Sequence, residues 1–167
     1  IIEEFMLTAN ETIAEYAYWS ELPFVYRTHE PPSSDKIESF NKFIAHFGLT
    51  IKGKIDSDNP VHPKALQNIM EAVKGTPEER MVASTMLHSL MKAEYKSENL
   101  GHFGLSAKYY CHFTSPIRRY PDLIIHRILK EFIDGNFDEK RVAHYTRIAE
   151  LAAQHSSETE INAEYAE

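Results

Sequence analysis

Proline and glycine residues divide this 167-residue chain into short segments whose apolar residues recur at helical spacing. The first segment runs from Ile1 to about Ser20 and is stopped by Leu22-Pro23. Proline interrupts a helix, and glycine is the residue that most often ends one, so each of them marks a boundary. The pattern therefore predicts several separate amphipathic helices that bury their apolar faces against one another.

The remaining predicted elements follow from the same boundary signals. A short strand is predicted over Phe24–His29, and the poorly helical stretch from Gly101 to Thr114 is expected to hold short strands or an ordered loop. No linker or repeat divides the chain, so we expect a single segment over residues 1–167 in a predominantly helical α+β class. The further predicted helices are Ser34 or Asp35 to Gly48, Pro63 to Gly75, Thr76 to about Tyr95, Ser115 to about Asp134 with Ile117 facing inward, and about Asp138 to the C-terminus.

Composition limits the class of protein. Hydrophobic residues make up 43% of the chain, which is enough for one core, and no apolar run approaches the roughly 18 residues of a membrane span. The single cysteine, Cys111, excludes an internal disulfide and a metal site built from cysteines, and it favours a reducing, cytoplasmic setting. The chain does not begin with methionine and carries helical patterns at both ends, so we expect it to be a fragment of a longer protein.

The formal net charge of −7 argues against a general nucleic-acid binder, but the charge is unevenly distributed. Residues 108–130 carry five basic side chains and one acidic side chain, whereas residues 1–47 and 131–167 are acidic. A local basic patch attracts an anion even in an acidic molecule. The distribution therefore predicts an anion-binding site within residues 108–130.

Two arginines, Arg118 and Arg119, follow the pair Ser115-Pro116, which is typical of a helix start. The backbone N–H groups and the dipole at such a start favour bound phosphate, and arginine forks match phosphate oxygens. Because the dipole disfavours arginines there, their presence predicts an anion in front of the helix. Aromatic side chains nearby are candidates for stacking on nucleic-acid bases. These aromatic candidates are Tyr109, Tyr110, His112, Phe113 and Tyr120.

A purely structural interpretation of the same residues stays open at this point. Arg118 could pair with Asp122 one turn on, and the aromatic side chains could all belong to the core. His126 is more typical of a structural residue than of a catalytic one. A third interpretation, from another class of enzyme, is a metal hydrolase that uses His102, His112 and His126.

Five blocks of the chain resemble characteristic blocks of the ribonuclease II and ribonuclease R family. The longest is the sixteen-residue run from His112 to Arg127, HFTSPIRRYPDLIIHR, and the others follow the family's order along nearly the whole chain. The shorter blocks are Ile2–Asn10, Tyr26–Pro32, Gly101–Leu105 and His155–Glu160. The resemblance implies the C-terminal half of the family's catalytic domain, which is called the RNB domain.

The resemblance also implies an activity and a role for particular residues. Family members degrade RNA processively from its 3′ end to nucleoside 5′-monophosphates by Mg²⁺-assisted hydrolysis. Arg118 matches the arginine that holds the scissile phosphate and supports its developing charge. Glu3 or Glu4 matches the glutamate that contacts the terminal ribose, and Glu3 is favoured because Asn10 shares its helix face. The other residues implied to contact RNA are Asn10, His112, Thr114, Ser115, Arg119 and Tyr120.

The family's metal site is a cluster of aspartates upstream of every block found in this chain, so the resemblance implies no metal ligand here. Asp56 and Asp58 form the one tight acidic pair outside the predicted helices, and their spacing fits a turn. Glu167 aligns weakly with a glutamate near the family's RNA channel. The family's cold-shock and S1 RNA-binding domains have no counterpart in this sequence either.

These observations lead to one main hypothesis and one alternative. The main hypothesis is a fragment of a 3′-to-5′ exoribonuclease that supplies phosphate and ribose contacts, depends on Mg²⁺ held elsewhere and is inactive alone. Its expected partners are the 3′ end of single-stranded RNA and the missing N-terminal half of the same domain, whose absence would expose apolar surface. The alternative is a noncatalytic RNA- or partner-binding module with the same fold.

Overall fold

The structure, a computed structural model, describes residues 1–51 and 61–166. These residues form six α-helices, a two-stranded sheet and a short 3₁₀ helix, which confirms the predominantly helical α+β class. They group into two compact units, residues 1–29 with 93–166 and residues 30–92. The elements are α1 (Ile2–Trp19), β1 (Tyr26–Thr28), α2 (Ser34–Ala45), α3 (Pro63–Val73), α4 (Glu79–Ser89), β2 (Glu94–Lys96), the 3₁₀ helix (Phe103–Leu105), α5 (Tyr120–Ile133) and α6 (Glu139–Glu164).

The core of the first unit lies between α1, α5 and α6. α5 contributes the fully buried Ile125 and Ile128, and α1 contributes Ala14 and Ala17. α6 packs against α5 and adds buried alanines, whose small side chains let the two helices approach closely. The last helix begins where the sequence predicts, because the Asp138 side chain accepts a hydrogen bond from the N–H three residues on and caps it.

The two strands form an antiparallel pair in which Arg27 lies opposite Tyr95. α6 holds this sheet through Ser157, whose hydroxyl donates to the Tyr95 carbonyl oxygen (3.2 Å) and accepts from the Tyr95 N–H (2.9 Å). The backbone N–H of Arg27 donates to the carbonyl oxygen of Tyr110 at 3.0 Å. The sheet therefore connects α6 to the segment that leads into the predicted phosphate site.

The second unit is built from α2, α3 and α4, with α4 packed against both of the others. Each helix buries an apolar stripe at three- and four-residue spacing, as the sequence pattern predicts. Gly48 follows α2 with a φ of +72°, a left-handed conformation that favours glycine at the end of a helix. The buried stripes are Ile37, Phe40 and Ile44 in α2, Leu66, Ile69 and Val73 in α3, and Val82 and Met86 in α4.

The helix predicted from Thr76 to about Tyr95 is wrong at both ends. α4 begins at Glu79, because the Thr76 hydroxyl donates to the Val73 carbonyl oxygen (2.8 Å) of the preceding helix and does not cap α4. α4 ends at Ser89, and Tyr95 lies in β2, where its side chain is 8% exposed. Strand pairing in the folded chain has outweighed a local helical pattern.

The predicted start of α5 at Ser115 is also wrong, and Ile117 does not face inward. α5 begins at Tyr120, and residues 116–118 form a turn that leaves Ile117 fully exposed. A helix running through Pro121 would lose a backbone hydrogen bond and press the proline ring against an earlier carbonyl group. Pro121 fits in the first turn of a helix, so α5 starts there. The two arginines consequently precede the helix and do not occupy its first turn.

α1 has nearly its predicted bounds, but its N-terminal part faces solvent. Ile2 and Phe5 are 77% and 71% exposed, whereas the buried residues of this helix are Asn10, Ala14 and Ala17. The start of α1 therefore presents apolar side chains on the surface of the first unit. Among the described helices, α1 included, none has the length and apolarity needed to cross a membrane.

The contrast between buried and exposed isoleucines of α5 gives a test of this core. Ile128 is fully buried, so Ile128→Ala should lower the free energy of unfolding by about 2–5 kcal/mol through lost burial and a residual cavity. Ile133 is 74% exposed on the same helix, so Ile133→Ala should change the free energy of unfolding by less than about 0.5 kcal/mol. Urea denaturation of both variants measures the difference, and equal losses would contradict the described orientation of α5.

Candidate functional site

Residues 115–119 form a tight turn directly before α5, which we call the arginine turn. The backbone N–H groups of Arg118 and Arg119 both donate to the Ser115 carbonyl oxygen, at 3.2 and 3.1 Å. The Arg119 carbonyl oxygen accepts from the N–H of Leu123 (3.3 Å), in the first turn of α5. The arginine turn is therefore closed by its own hydrogen bonds and joined to the start of the helix.

The carboxylate of Asp122 holds the arginine turn against α5. Its Oδ2 accepts hydrogen bonds from the Ser115 N–H (2.8 Å) and from Nε and Nη2 of Arg119 (3.2 and 2.8 Å). The Asp122 side chain is fully buried and the Arg119 side chain is 19% exposed, so little solvent reaches the ion pair. Three charge-assisted hydrogen bonds and the dipole of α5 offset part of the cost of burying this carboxylate, whose Oδ1 has no hydrogen-bond partner among the described residues.

Arg118 differs from its neighbour because its side chain is exposed to solvent. That side chain makes no hydrogen bond or ion pair with the residues that the structure describes. The open alternative in which Arg118 pairs with Asp122 is wrong, since Arg119 occupies that carboxylate. The hydrogen bonds of the arginine turn fix the backbone of Arg118, and the N–H donors of its guanidinium are not used by other described residues. Such a guanidinium is suited to bidentate binding of a phosphate.

Asn10 of α1 anchors the segment that leads into the arginine turn. Its Oδ1 accepts from the Phe113 N–H (3.0 Å), and its Nδ2 donates to the Tyr110 hydroxyl (3.2 Å). Its backbone carbonyl oxygen accepts from the Cys111 thiol (3.3 Å), and its side chain lies in the interior. Asn10 thus positions residues 110–113 from inside the protein, and its predicted contact with RNA stays a prediction that this burial does not favour.

His112 lies close to the arginine turn as a neutral imidazole. Burial, with smaller contributions from nearby charges that include Arg119 and Arg118, lowers its pKa to about 3. Its Nδ1 shares a hydrogen bond of 2.9 Å with the hydroxyl of Tyr95. At neutral pH, the positive charge near the turn therefore comes from the arginines and not from His112.

The aromatic side chains considered for stacking on bases differ in accessibility. Tyr109 and Tyr110 are buried, and Phe113 stacks on His126 with 4.2 Å between ring centres. His126 also shares a hydrogen bond of 2.9 Å with the Phe113 carbonyl oxygen, as expected of a structural residue. Tyr120 is 49% exposed and has the most accessible ring of the group.

The other predicted contact residues lie before the arginine turn and at the start of α1. Thr114 is partly buried, and its Oγ1 has no hydrogen-bond partner among the described residues. Ser115 contributes its backbone to the turn. Glu3 and Glu4 are both exposed in the first turn of α1, so the choice between them stays open. The roles of these four residues remain predictions.

The residues that the structure describes do not fit a magnesium site. Over residues 1–51 and 61–166, no group of three or more His, Cys, Asp or Glu side chains is arranged to hold a metal ion. The three histidines of the hydrolase hypothesis therefore form no metal centre. Asp56, Asp58 and Glu167 lie outside the described residues.

A long-range ion pair beside the site is missing from the sequence-based prediction. Arg27 binds Glu160 of α6 in a bidentate manner, with Nη1–Oε2 at 2.6 Å and Nη2–Oε1 at 3.1 Å. The Arg27 guanidinium also lies 4.5 Å from the centre of the Tyr95 ring. Both partners fall within blocks that carry the family resemblance, but local spacing cannot pair residues so far apart in sequence.

The comparison with known families assigns this fold. The family model described as the RNB domain matches residues 1–135, which include α1, the arginine turn and α5. The chain belongs to the RNB domain family. This confirms the resemblance inferred from the five sequence blocks.

Ribonuclease R proteins are similar to this RNB chain over its whole length. Ribonuclease R 1 of Lactococcus lactis is 42% identical over 167 residues, which is all of this chain and 20% of that protein. Ribonuclease R of Thermotoga maritima is 39% identical over 169 residues, which is all of this chain and 23% of that protein. The chain therefore spans about a fifth to a quarter of the length of the relatives it matches.

Solved structures of the RNB fold agree with this assignment. Mycoplasma genitalium RNase R in complex with ribose methylated single-stranded RNA matches with a TM-score of 0.85 and 32% identity, over 96% of this chain and 25% of that chain. Yeast Ssd1, a pseudonuclease, matches with a TM-score of 0.69 and 24% identity, over 94% of this chain and 20% of that chain. The second match shows a shared fold alone.

Removing the charge of Asp122 tests whether it holds the arginine turn. Asp122→Asn keeps the size of the side chain but leaves Arg119 without its counter-ion, so the free energy of unfolding should fall by about 3 kcal/mol. The matched control is Glu38→Gln, which breaks the exposed ion pair with Lys42 and should have no measurable effect. Chemical denaturation measures both, and an unaltered stability of Asp122→Asn would exclude this role.

The buried histidines predict a loss of stability on acidification. Burial lowers the pKa of His112 to about 3 and that of His102 to about 4, below the value of about 6.5 in an unfolded chain. Between these values the unfolded state binds more protons, so protons favour unfolding, by about 2 kcal/mol at pH 5 for His112 and by less for His102, whose more exposed ring is screened by solvent. Denaturation of this chain at pH 7 and pH 5 measures the loss. His112→Gln should remove more than half of the loss that the two histidines cause, and an unchanged loss would contradict the burial of His112.

Proposed function

We propose that this chain forms the phosphate- and ribose-binding part of a 3′-to-5′ exoribonuclease that degrades RNA processively to nucleoside 5′-monophosphates. Membership of the RNB family and similarity to ribonuclease R proteins support this activity for the complete enzyme. A relative solved with single-stranded RNA and with double-stranded RNA supports RNA as the ligand, and the single-stranded 3′ end is the form that we propose. The chain would be the C-terminal portion of the catalytic domain, inactive without the rest, in a cytoplasmic protein.

The observation that carries this proposal is the state of the two arginines. Arg119 is neutralised by Asp122 and fixes the backbone, while Arg118 next to it is exposed and has no protein partner among the described residues. A charge that is held in position but left unpaired is suited to stabilise charge that develops on a phosphate during hydrolysis. In this proposal Arg118 is the catalytic residue and Arg119 is a positioning residue.

The neighbouring residues would complete the contacts with the RNA. The Thr114 hydroxyl has an unused hydrogen-bonding capacity among the described residues and adjoins the arginine turn in sequence. Tyr120 follows the turn with an exposed ring. A carboxylate of Glu3 or Glu4 would accept a hydrogen bond from the 2′-hydroxyl of the terminal ribose, which is the group that distinguishes RNA from DNA.

Mg²⁺ is proposed for the complete enzyme, with its ligands outside the described residues. The described part of the chain holds no cluster that could bind the ion, so its proposed work is to bind and orient the phosphate and to stabilise charge. The missing N-terminal half of the domain is the partner that would bring the metal ligands.

A noncatalytic RNA-binding module is the second candidate function. It is favoured by two observations: the described residues hold no metal cluster, and the same fold occurs in a protein described as a pseudonuclease. The two candidates differ in what Arg118 does. In a catalytic site it acts mainly on turnover, whereas in a binding module it acts on affinity alone.

Arg118→Ala in the full-length enzyme tests the catalytic assignment. We expect kcat for release of nucleoside 5′-monophosphates to fall about 100-fold or more, because one preorganised charge on the reacting phosphate is lost. The dissociation constant for single-stranded RNA should change by only a few-fold, because many other phosphate contacts remain. Arg118→Lys should recover part of the rate, since it restores the charge without the bidentate fork.

Arg147→Ala is the matched control for this variant. Arg147 is an exposed arginine of α6 that has no side-chain hydrogen bond or ion pair among the described residues and lies outside the proposed site. Its removal should leave kcat and RNA affinity unchanged. Undiminished turnover of Arg118→Ala would exclude the catalytic role. RNA binding that depends on Arg118, in an unsubstituted protein that releases no nucleoside 5′-monophosphates, would favour the binding module.

A further inference from the structure

A hydrogen bond between Tyr95 and His112 determines which ring nitrogen of His112 carries the proton. The Tyr95 hydroxyl lies 2.9 Å from His112 Nδ1. Tyr95 is buried, and its hydroxyl has no other hydrogen-bond partner among the described residues. Burial is the main cause that raises the pKa of Tyr95, so the hydroxyl keeps its proton at neutral pH. Because that proton has no other acceptor there, Tyr95 donates and His112 Nδ1 accepts.

His112 consequently carries its own proton on Nε2. Burial lowers the pKa of His112 to about 3, so the ring is neutral at pH 7 and holds a single N–H. Nε2 makes no hydrogen bond with the described residues. The side chain is partly exposed, and Nε2 is not one of the fully buried polar atoms that lack a partner, so it reaches the surface. His112 therefore offers an uncharged N–H donor to a ligand.

The backbone on both sides of His112 is held in place. The Tyr110 carbonyl oxygen accepts from the Arg27 N–H of β1, and the Phe113 N–H donates to Oδ1 of Asn10 in α1, each at 3.0 Å. Together with the hydrogen bond at Nδ1, these contacts fix the direction of the Nε2–H. A donor that is oriented before the ligand arrives loses little conformational entropy on binding.

His112 lies near the arginine turn in space as well as in sequence. After burial, the largest cause of its low pKa is the positive charge of Arg119, and the charges of Arg27 and Arg118 add to it. The charge of Arg119 also acts on the Tyr95 hydroxyl. Electrostatic interactions of this kind weaken with distance, so both rings lie close to the turn. A phosphate bound by Arg118 would therefore bring the RNA backbone to His112.

We propose that Tyr95 is a positioning residue of the RNA site, which holds His112 so that its Nε2–H donates to a phosphate oxygen of the RNA. The donor matches the phosphate, whose oxygens only accept hydrogen bonds. Because the imidazole is uncharged, this contact is weaker than an ion pair, and the strand can leave it after each cleavage. This inference rests on the proposed function and adds Tyr95 to the residues that serve it.

A double-mutant cycle in the full-length enzyme tests whether Tyr95 acts through His112. The dissociation constant for a single-stranded RNA oligonucleotide is measured with a chelator present, so that hydrolysis does not interfere. His112→Ala should weaken binding about three- to tenfold, as expected for one neutral hydrogen bond, and Tyr95→Phe should weaken it about threefold. In the His112→Ala background, Tyr95→Phe should cause no further loss. An equal loss in both backgrounds would overturn the proposal.

Two further variants of His112 test which nitrogen carries the proton. The amide nitrogen of glutamine can occupy nearly the position of Nε2, whereas that of asparagine lies nearer the position of Nδ1. His112→Gln should therefore bind the oligonucleotide within about twofold of the unsubstituted enzyme, and His112→Asn should bind as weakly as His112→Ala. The reverse order would overturn the assignment of the proton to Nε2.

Tyr145→Phe is the matched control for Tyr95→Phe. Tyr145 is also buried, and its hydroxyl donates to Oε1 of Glu131 at 2.8 Å, outside the proposed site. The substitution removes a comparable buried hydroxyl, so it should leave RNA binding unchanged. A loss in Tyr145→Phe equal to that in Tyr95→Phe would show a general effect on the fold and would contradict a positioning role.

The salt dependence of binding distinguishes an uncharged contact from an ion pair. Loss of a charged phosphate contact reduces counterion release, so Arg118→Ala should lower the slope of log affinity against log salt concentration by about 0.7. His112→Ala should leave this slope unchanged, and a reduction like that of Arg118→Ala would overturn the neutral contact. If the unsubstituted enzyme neither binds nor degrades RNA, the proposed function fails with this inference. If it does both and the cycle is additive, only the role of Tyr95 fails.

Discussion

The hydrogen bonds of one buried carboxylate, Asp122, determine the geometry of the candidate site. Asp122 accepts from the backbone before the arginine turn and from the side chain of Arg119 at its end, so both ends of the turn are tied to the first turn of α5. Burial of the pair makes these bonds strong and also makes loss of either partner costly. Because Arg119 neutralises the charge of Asp122, the neighbouring Arg118 keeps an exposed charge beside a fixed turn. Asn10 supports the same arrangement from α1 by holding the residues that enter the turn.

Much of the helical framework could be predicted from the sequence, because proline, glycine and apolar spacing act locally. The structure differs from the prediction where distant residues or two nearby prolines determine the backbone. Tyr95 lies in a strand because β2 pairs with β1, and the local sequence contains no signal for that pairing. Ser115-Pro116 has the form of a helix start, but α5 begins only at Tyr120, where Pro121 falls in the first turn. The basic stretch of residues 108–130 can be predicted from the sequence. Which of its two adjacent arginines is paired depends on the position of Asp122, which only the folded structure shows.

The RNB fold and a nuclease activity are separate properties. The relatives of this chain are ribonuclease R proteins, and a protein described as a pseudonuclease, yeast Ssd1, has a similar fold. Within the described residues, this chain offers an exposed arginine on a turn held by a buried ion pair, and no cluster of metal-binding side chains. This combination fits a part of an active site whose reactivity comes from the rest of the domain.

An Mg²⁺-dependent exonuclease assay on single-stranded RNA tests this account most directly. It compares this chain with the same chain extended upstream to the length of its relatives, at equal concentration and with Arg118→Ala in the extended chain as a further sample. The account predicts that nucleoside 5′-monophosphates appear with the extended chain, about 100-fold or more slowly with its Arg118→Ala variant, and not with the 167-residue chain. Release of nucleoside 5′-monophosphates by the 167-residue chain alone would contradict it.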